Sequence, residues 1–353
     1  MAFMDPLSPL IDAFRSYPIE RTNFYGSHYD GIKADHVFAL AKPILHQFLH
    51  CHEISNIHFP NDDVIGSNSL VFLATIKNRS TGEENDVAIK IFMPMKSVKQ
   101  LLTDETLVKM SEQGICPNIL LNQTTDFGHD TFLISVLISS LVTPLEMYQF
   151  KSLDEVKIAI VSFIDIVQKL HNFGLVHLDI KRANICVGMN GKIYLIDFDN
   201  CDMINTRSCS LTNSSLSCHP PVQMQEGFIR LGMGDTSIDW FSAIYSILGY
   251  VLNMKWWQFD NGIWDEDTDE YEFARMDEKQ RKTLALNRHK LYICIQQEMK
   301  KIFPSVLIQS RDPFWSKFCD IVFLIFKGHQ KCTNIREFDA KFNYEFEILN
   351  KLI

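Results

Sequence analysis

Apolar and polar residues follow two different periods along this chain, and the change from one to the other outlines its elements. From Asp35 to His52 the apolar positions Val37, Leu40, Ala41, Ile44, Leu45, Phe48 and Leu49 recur at helical spacing, which predicts an amphipathic helix packed on the lobe C-terminal to it. Between Asp63 and Phe92 the pattern turns strand-like, with Val71-Phe-Leu-Ala74 and Val87-Ala-Ile-Lys90 at its centres. In the second run Ala88 and Lys90 share one face, Val87 and Ile89 the other. Helical spacing returns over Val98–Glu112, where Leu101, Leu102 and Val108 stand at −4, −3 and +3 from Glu105. Thr131–Ile138 reads as a buried strand. Ser152-Leu-Asp-Glu155 is a capping box, and it opens a helical stripe of Leu153, Val156, Ile160, Phe163, Val167 and Leu170 that Gly174 closes. Asp239 precedes the apolar helix Trp240–Leu252, and the aromatic-rich stretch from Lys282 to Ile353 predicts further packed helices.

One short segment carries chemistry. Asn190-Gly191 lies between the β-type runs Ile185–Gly188 and Lys192–Ile196, a hairpin signal that predicts a two-residue turn. Counting outward from it, Val187 faces Tyr194, Ile185 faces Ile196 and Asn184 faces Asp197. Directly opposed residues have Cβ atoms about 4.5–5.5 Å apart. An amide oxygen and a carboxylate so close form a hard-oxygen site of the type Mg²⁺ takes together with substrate phosphates. Asp179 and Lys181 sit just upstream, in a short loop after a helix, so a carboxylate and an ammonium face the same neighbourhood.

The run His177-Leu-Asp179-Ile-Lys181-Arg-Ala-Asn184, followed thirteen residues later by Asp197-Phe198-Asp199, resembles the catalytic loop and the metal-binding Asp-Phe-Gly of protein kinases. Carried over by position, Asp179 resembles the residue that orients the acceptor hydroxyl and takes its proton, and Lys181 the one that steadies the γ-phosphate. Asn184 and Asp197 resemble the two protein ligands of Mg²⁺. His177 is expected to be structural, a satisfied core histidine holding the loop beneath Phe198. Val87-Ala-Ile-Lys90 resembles the third strand of the kinase small lobe, which makes Lys90 the expected ligand of the α/β-phosphates. Gly66 is the one glycine left of the phosphate-covering loop. The resemblance implies a Glu on the next helix as partner of Lys90, with Glu105 the first candidate and Glu112 the reserve. A hinge is expected near Ser139–Leu141. Asp239 is expected to brace the catalytic-loop backbone, to cap its own helix, or both.

The implied fold is α+β and bilobal, protein-kinase-like, with an N-terminal extension over residues 1–55, a small β-rich N-lobe over 56–139 and a large, mostly helical C-lobe over 140–353. The implied function is an ATP- and Mg²⁺-dependent transferase acting on Ser/Thr hydroxyls of a protein substrate. Two rivals stand beside it, a pseudokinase that binds partners without turnover and a kinase-like enzyme acting on a small molecule or lipid. Two departures from the catalytic-loop pattern matter. Leu178 stands where most of the family has Arg, so the cation that pairs with a phosphorylated activation loop is missing and the enzyme is expected to be constitutive. Asp199 stands in place of Gly, adding a carboxylate and removing the residue most tolerant of positive φ. Pro220-Pro221 stands in for the usual Ala-Pro-Glu.

Composition narrows the rest. The 353 residues are 46% hydrophobic and 22% charged, ordinary for a globular protein long enough for two lobes, and a net charge of −9 argues against broad nucleic-acid binding. Nine cysteines, odd in number and without a Cys-x-x-Cys pair, point to a reducing compartment, so an intracellular, cytoplasmic location is expected. The most apolar stretches, Phe132–Val142 and Trp240–Met254, fall short of a membrane span. His46, His50, Cys51, His52 and His58 crowd one helix end, where solvated histidines are the reading favoured over a metal site. The acidic run Asp265–Glu272 is read as a solvated loop.

Overall fold

The computed structural model describes residues 5–16, 34–59, 69–94, 96, 99, 102–130, 132–204, 236–251, 312–331 and 335–353. Gly66, the acidic run from Asp265 and Pro220-Pro221 lie outside them. Contacts divide the chain into two compact units, Met1–Val142 and Thr143–Ile353.

The first unit is a sheet with a helical cover. Helices α1 (Ser8–Arg15) and α2 (Ala34–His50) precede strands β1 (His52–His58), β2 (Ser69–Asn78) and β3 (Glu84–Phe92). Helix α3 (Asp104–Glu112) then leads to β4 (Ile119–Thr125) and β5 (Ile134–Ser140). The five strands form one antiparallel sheet in the order β1-β2-β3-β5-β4. The period-2 pattern sets its faces. Leu70, Phe72, Ala74 and Ile76 of β2, Val87, Ile89 and Ile91 of β3, and Val136 and Ile138 of β5 are buried on one side. Leu10 of α1 and Val37, Phe38, Ala41, Ile44, Leu45 and Leu49 of α2 join them in a single core, with Phe14 stacked on Phe38. The helix predicted before residue 52 therefore forms and packs as its spacing requires.

The second unit is mostly helical where described. Strand β6 (Thr143–Pro144) leads to α4 (Leu153–Asn172), then β7 (Leu175–Val176), β8 (Ile185–Val187), β9 (Ile193–Leu195), β10 (Asp202–Met203) and helices α5 (Thr236–Val251), α6 (Pro313–Lys331) and α7 (Ile335–Asn350). Ser152 caps α4 by accepting the Glu155 N–H at 3.2 Å, while Glu155 Oε2 accepts the Lys151 N–H at 2.8 Å. The box thus closes one residue earlier than the usual form. Ile160, Phe163, Val167 and Leu170 bury the stripe, but Leu153 is exposed, because the first helical turn projects past the core. Lys157 of α4 pairs with both Asp154 and Asp312, and Asp312 Oδ1 accepts the Phe314 N–H at the start of α6, so the opening turns of α4 and α6 are fastened together. Trp240 of α5 lies 4.1 Å from the Phe342 ring of α7 and meets His171 of α4 edge-on. Among the described residues no helix is long and apolar enough to cross a membrane.

Candidate active site

The loop between β7 and β8 is held by a buried acid. Asp239, fully buried on α5, accepts the backbone N–H of His177 at 2.8 Å and of Leu178 at 2.9 Å, and His171 Nε2 lies 3.0 Å from the same carboxylate. The bracing role expected of Asp239 is therefore present. The capping role is not, since α5 begins at Thr236 and Asp239 is already inside it. Burial pushes the Asp239 carboxyl up, but the His171 hydrogen bond, the nearby imidazoles and the His177 N–H outweigh it and hold it below the ordinary carboxylate value. The brace matters because Leu178 has φ +63°, a left-handed backbone that costs an L-residue about 1–2 kcal/mol. Two hydrogen bonds to a charged group, worth about 1.5–3 kcal/mol each, offset that strain.

His177 is a core histidine, as expected. Its Nδ1 lies 3.3 Å from the Asp179 N–H and accepts from it, so Nε2 carries the proton and donates to Ile196 O at 3.0 Å, while the ring sits 5.0 Å from Phe198. Asp179 is buried beneath the loop. Its Oδ2 accepts from Lys181 Nζ at 3.0 Å and from Asn184 Nδ2 at 3.0 Å, and Asn184 Nδ2 also reaches the Asp179 carbonyl at 2.9 Å. Asp179, Lys181 and Asn184, singled out by the motif resemblance, thus form one hydrogen-bonded cluster. Committing Nδ2 to Asp179 turns the other end of the amide, Oδ1, away from it, and Oδ1 is the atom a hard cation takes.

The hairpin register differs from the predicted one. Ile185 pairs with Leu195, Cys186 with Tyr194 and Val187 with Ile193, one residue off the two-residue count. A two-residue type I′ turn needs φ > 0 at both central residues, and in this turn only Gly191, at +75°, has it. Gly191 N–H instead donates to Gly188 O and Gly188 N–H to Lys192 O, which makes Met189–Gly191 a three-residue loop. Asn184 consequently lies opposite Ile196, whose N–H donates to Asn184 O at 3.0 Å, and Asp197 comes one residue later. Strand alternation ends there, because Asp197 is itself left-handed at φ +65°, ψ +62°. Asn184 and Asp197 therefore lie near the open end of the hairpin without being a directly opposed pair. The positive φ expected at Asp199 falls on Asp197 instead, and Asp199 sits in a single 3-10 turn, Phe198–Asn200, so the missing glycine costs the backbone nothing there.

No protein-family model matches the sequence, and no curated protein matches it either. Among solved structures, the kinase PK-1 of the Cydia pomonella granulovirus matches at 16% identity, covering 68% of this chain and 81% of its own, with a TM-score of 0.44. The likeness is one of fold.

In the first unit Lys90 lies on the half-buried face of β3, opposite Val87 and Ile89, with its ammonium 4.5 Å from the Phe92 ring centroid. Glu105 does not meet the expectation set for it. The helix begins only at Asp104, capped by Thr103, so Leu102 precedes it and does not share its phase, while Leu101 lies outside the described residues. Val108 is exposed, and Met110 sets the inner face. Glu105 points outward and pairs with Lys109 at 2.6 Å, which keeps its carboxyl below the ordinary value. Glu112, the reserve, is exposed as well. Sequence reasoning missed His171, because nothing in the spacing ties the last turn of α4 to an acid 68 residues on. It also missed the packing of Leu178 with Val176 and Ile204, a result of β10 pairing with β7.

Proposed function

We propose that this chain is an ATP- and Mg²⁺-dependent phosphotransferase of protein-kinase type that phosphorylates Ser/Thr hydroxyls of a protein substrate. The observation that carries the reading is the Asp179–Lys181–Asn184 cluster on a strained loop braced by Asp239. Asp179 orients the acceptor hydroxyl and takes its proton as the new O–P bond forms and the bond from the γ-phosphorus to the β-phosphate oxygen breaks, releasing ADP. Lys181 offsets charge on the transferring γ-phosphoryl group. Lys90 and the backbone around Gly66 hold the nucleotide phosphates, and Asn184 Oδ1 with the Asp197 carboxylate holds the cation. Bound Mg²⁺ supplies charge neutralisation at the phosphates. The chain's own contribution is positioning, so no covalent intermediate on a side chain is needed. Lys181, two residues after Asp179, is what favours a Ser/Thr acceptor.

Phosphate incorporation from labelled ATP into the chain itself or a generic protein acceptor tests this. The native chain is expected to incorporate label, and Asp179→Ala to lose at least about a hundredfold. Equal incorporation by the two sinks the reading. The outward Glu105 favours a second one, a nucleotide-binding module without turnover, in which the native chain binds MgADP yet incorporates no label.

The packing of Leu178 against Val176 and Ile204 supports constitutive activity. Where a loop Arg would await a phosphate, an apolar contact fixes the start of the segment after Asp199, and Ile204 N–H donates to Gly174 O at 2.8 Å. Phosphatase treatment of the purified protein is expected to leave its turnover unchanged. A drop after dephosphorylation rules out the constitutive reading.

A further inference from the structure

The tip of the β8/β9 hairpin folds one amide side chain back over its own backbone. Asn190 Oδ1 accepts the Lys192 N–H at 3.0 Å, and a hydrogen bond from two residues on closes a ring over the peptide between them. The nitrogen inside that ring is Gly191 N, so Asn190 Cγ is brought over it. Gly188 leaves room for this arrangement: a Cβ built there would meet Asn190 Oδ1 at 3.1 Å and Tyr194 Cε2 at 2.8 Å. Gly191, at φ +75°, has no side chain to shield its nitrogen. Met189, Asn190, Gly191 and Lys192 are all exposed, so water reaches the tip.

An electrophile and a nucleophile thus stand together within one loop. The amide carbon Cγ is the electrophile, and Gly191 N, once deprotonated, the nucleophile. The Lys192 N–H lies where negative charge gathers on Oδ1 as Cγ is attacked. Groups held in this way need no encounter. One bond opposes the attack, because Gly191 N–H donates to Gly188 O at 2.9 Å and must first give that partner up. Opening a turn bond slows the step by about tenfold at most. The ordering of the Asn190 backbone, already complete in the fold, speeds it by about five- to thirtyfold, and the held side chain adds to that. Folding therefore favours the attack.

We propose that Asn190 is a self-modification site, at which the folded hairpin converts its own asparagine to isoaspartate and aspartate. Gly191 N gives its proton to water and forms a bond to Asn190 Cγ. The Cγ–Nδ2 bond breaks, ammonia leaves with a proton returned by water, and a five-membered succinimide remains. Water then opens the ring. Attack on the Asn190 backbone carbonyl carbon leaves the main chain running through the side chain, as isoaspartate; attack on Cγ leaves aspartate. The sum is one water in and one ammonia out, with no change of oxidation state. Isoaspartate adds a negative charge and lengthens the loop by one main-chain carbon. The Met189–Gly191 loop then no longer fits the bonds from Gly191 N–H to Gly188 O and from Gly188 N–H to Lys192 O, and the hairpin loosens at its tip.

Incubating the full chain at neutral pH, folded and in parallel unfolded in urea, tests the site. Peptide mapping reads the small mass gain of amide to acid at residue 190, and synthetic peptides carrying aspartate or isoaspartate identify the products by retention. The folded chain is expected to convert Asn190 at least about twofold faster than the unfolded one. Slower conversion in the folded chain, or none, overturns the proposal. Asn190→Gln, whose longer side chain would have to close a six-membered ring, is expected to leave the loop unmodified; the same products in that variant's loop overturn the assignment to Asn190. Thermal melting of the converted chain, separated by its added charge, reads the loosening: a lower melting temperature supports it, and an unchanged one overturns it.

Discussion

Asp239→Ala is expected to destabilise the protein by about 3–5 kcal/mol and to abolish phosphate transfer in whatever remains folded. The substitution strips three hydrogen-bond partners at once, leaving the backbone N–H groups of His177 and Leu178 and the ring of His171 buried without their acceptor. It also releases the left-handed backbone at Leu178, whose strain then favours relaxation of the loop that carries Asp179. Thermal melting checks the first part and labelled-ATP incorporation the second; a variant that melts with the native chain contradicts the brace. The same acid sets a pH limit. Its folded-state pKa is depressed, so the stability it contributes is complete above the unfolded carboxylate value and is lost as pH falls through the lower folded value. Acid unfolding of the native protein is therefore expected to steepen below about pH 4, and Asp239→Asn to flatten that limb.

Removing residues 1–50 is expected to leave no folded first unit. Eight side chains of α1 and α2, from Leu10 to Leu49, are buried in the core they share with the sheet, six of them larger than alanine. Each such large side chain contributes about 1.5–3 kcal/mol, and together they rival the 5–15 kcal/mol or so that separates a folded domain from its unfolded chain. Truncation also uncovers the inner faces of β2, β3 and β5, a contiguous apolar surface of the type that drives aggregation. Expression of residues 51–353 is expected to give insoluble protein. A soluble truncated chain with the native melting temperature refutes the structural role of this cover. Although residues 1–55 lie outside the kinase resemblance, α1 and α2 share one core with the strands of the sheet.

The parts of the fold legible in the sequence came from strict periodicity. The alternation at Val87–Lys90 places the lysine on the face opposite Val87 and Ile89, the spacing from Val37 to Leu49 gives α2, and the loop motif gathers Asp179, Lys181 and Asn184 into contact. The parts that stayed hidden depended on phase and on distance along the chain. Asn190-Gly191 announces a hairpin, yet whether the turn has two residues or three hangs on the φ of Asn190, which composition does not determine. Glu105 reads as inward only if Leu102 belongs to its helix, and the helix starts after that residue. The partners Asp104–Asn122 and His171–Asp239 bring together residues far apart in the chain, and only the fold supplies those pairings.

One imidazole ties the two halves of the second unit's chemistry. Because the His177 ring donates to Ile196 on one side and accepts from Asp179 on the other, it works as a rigid strut between the residue before Asp197 and the proposed base. A displacement of the Asp197-Phe198 segment would act through that strut on the backbone of Asp179. The proposed base and the proposed cation ligand are thus joined by a single ring and its two hydrogen bonds.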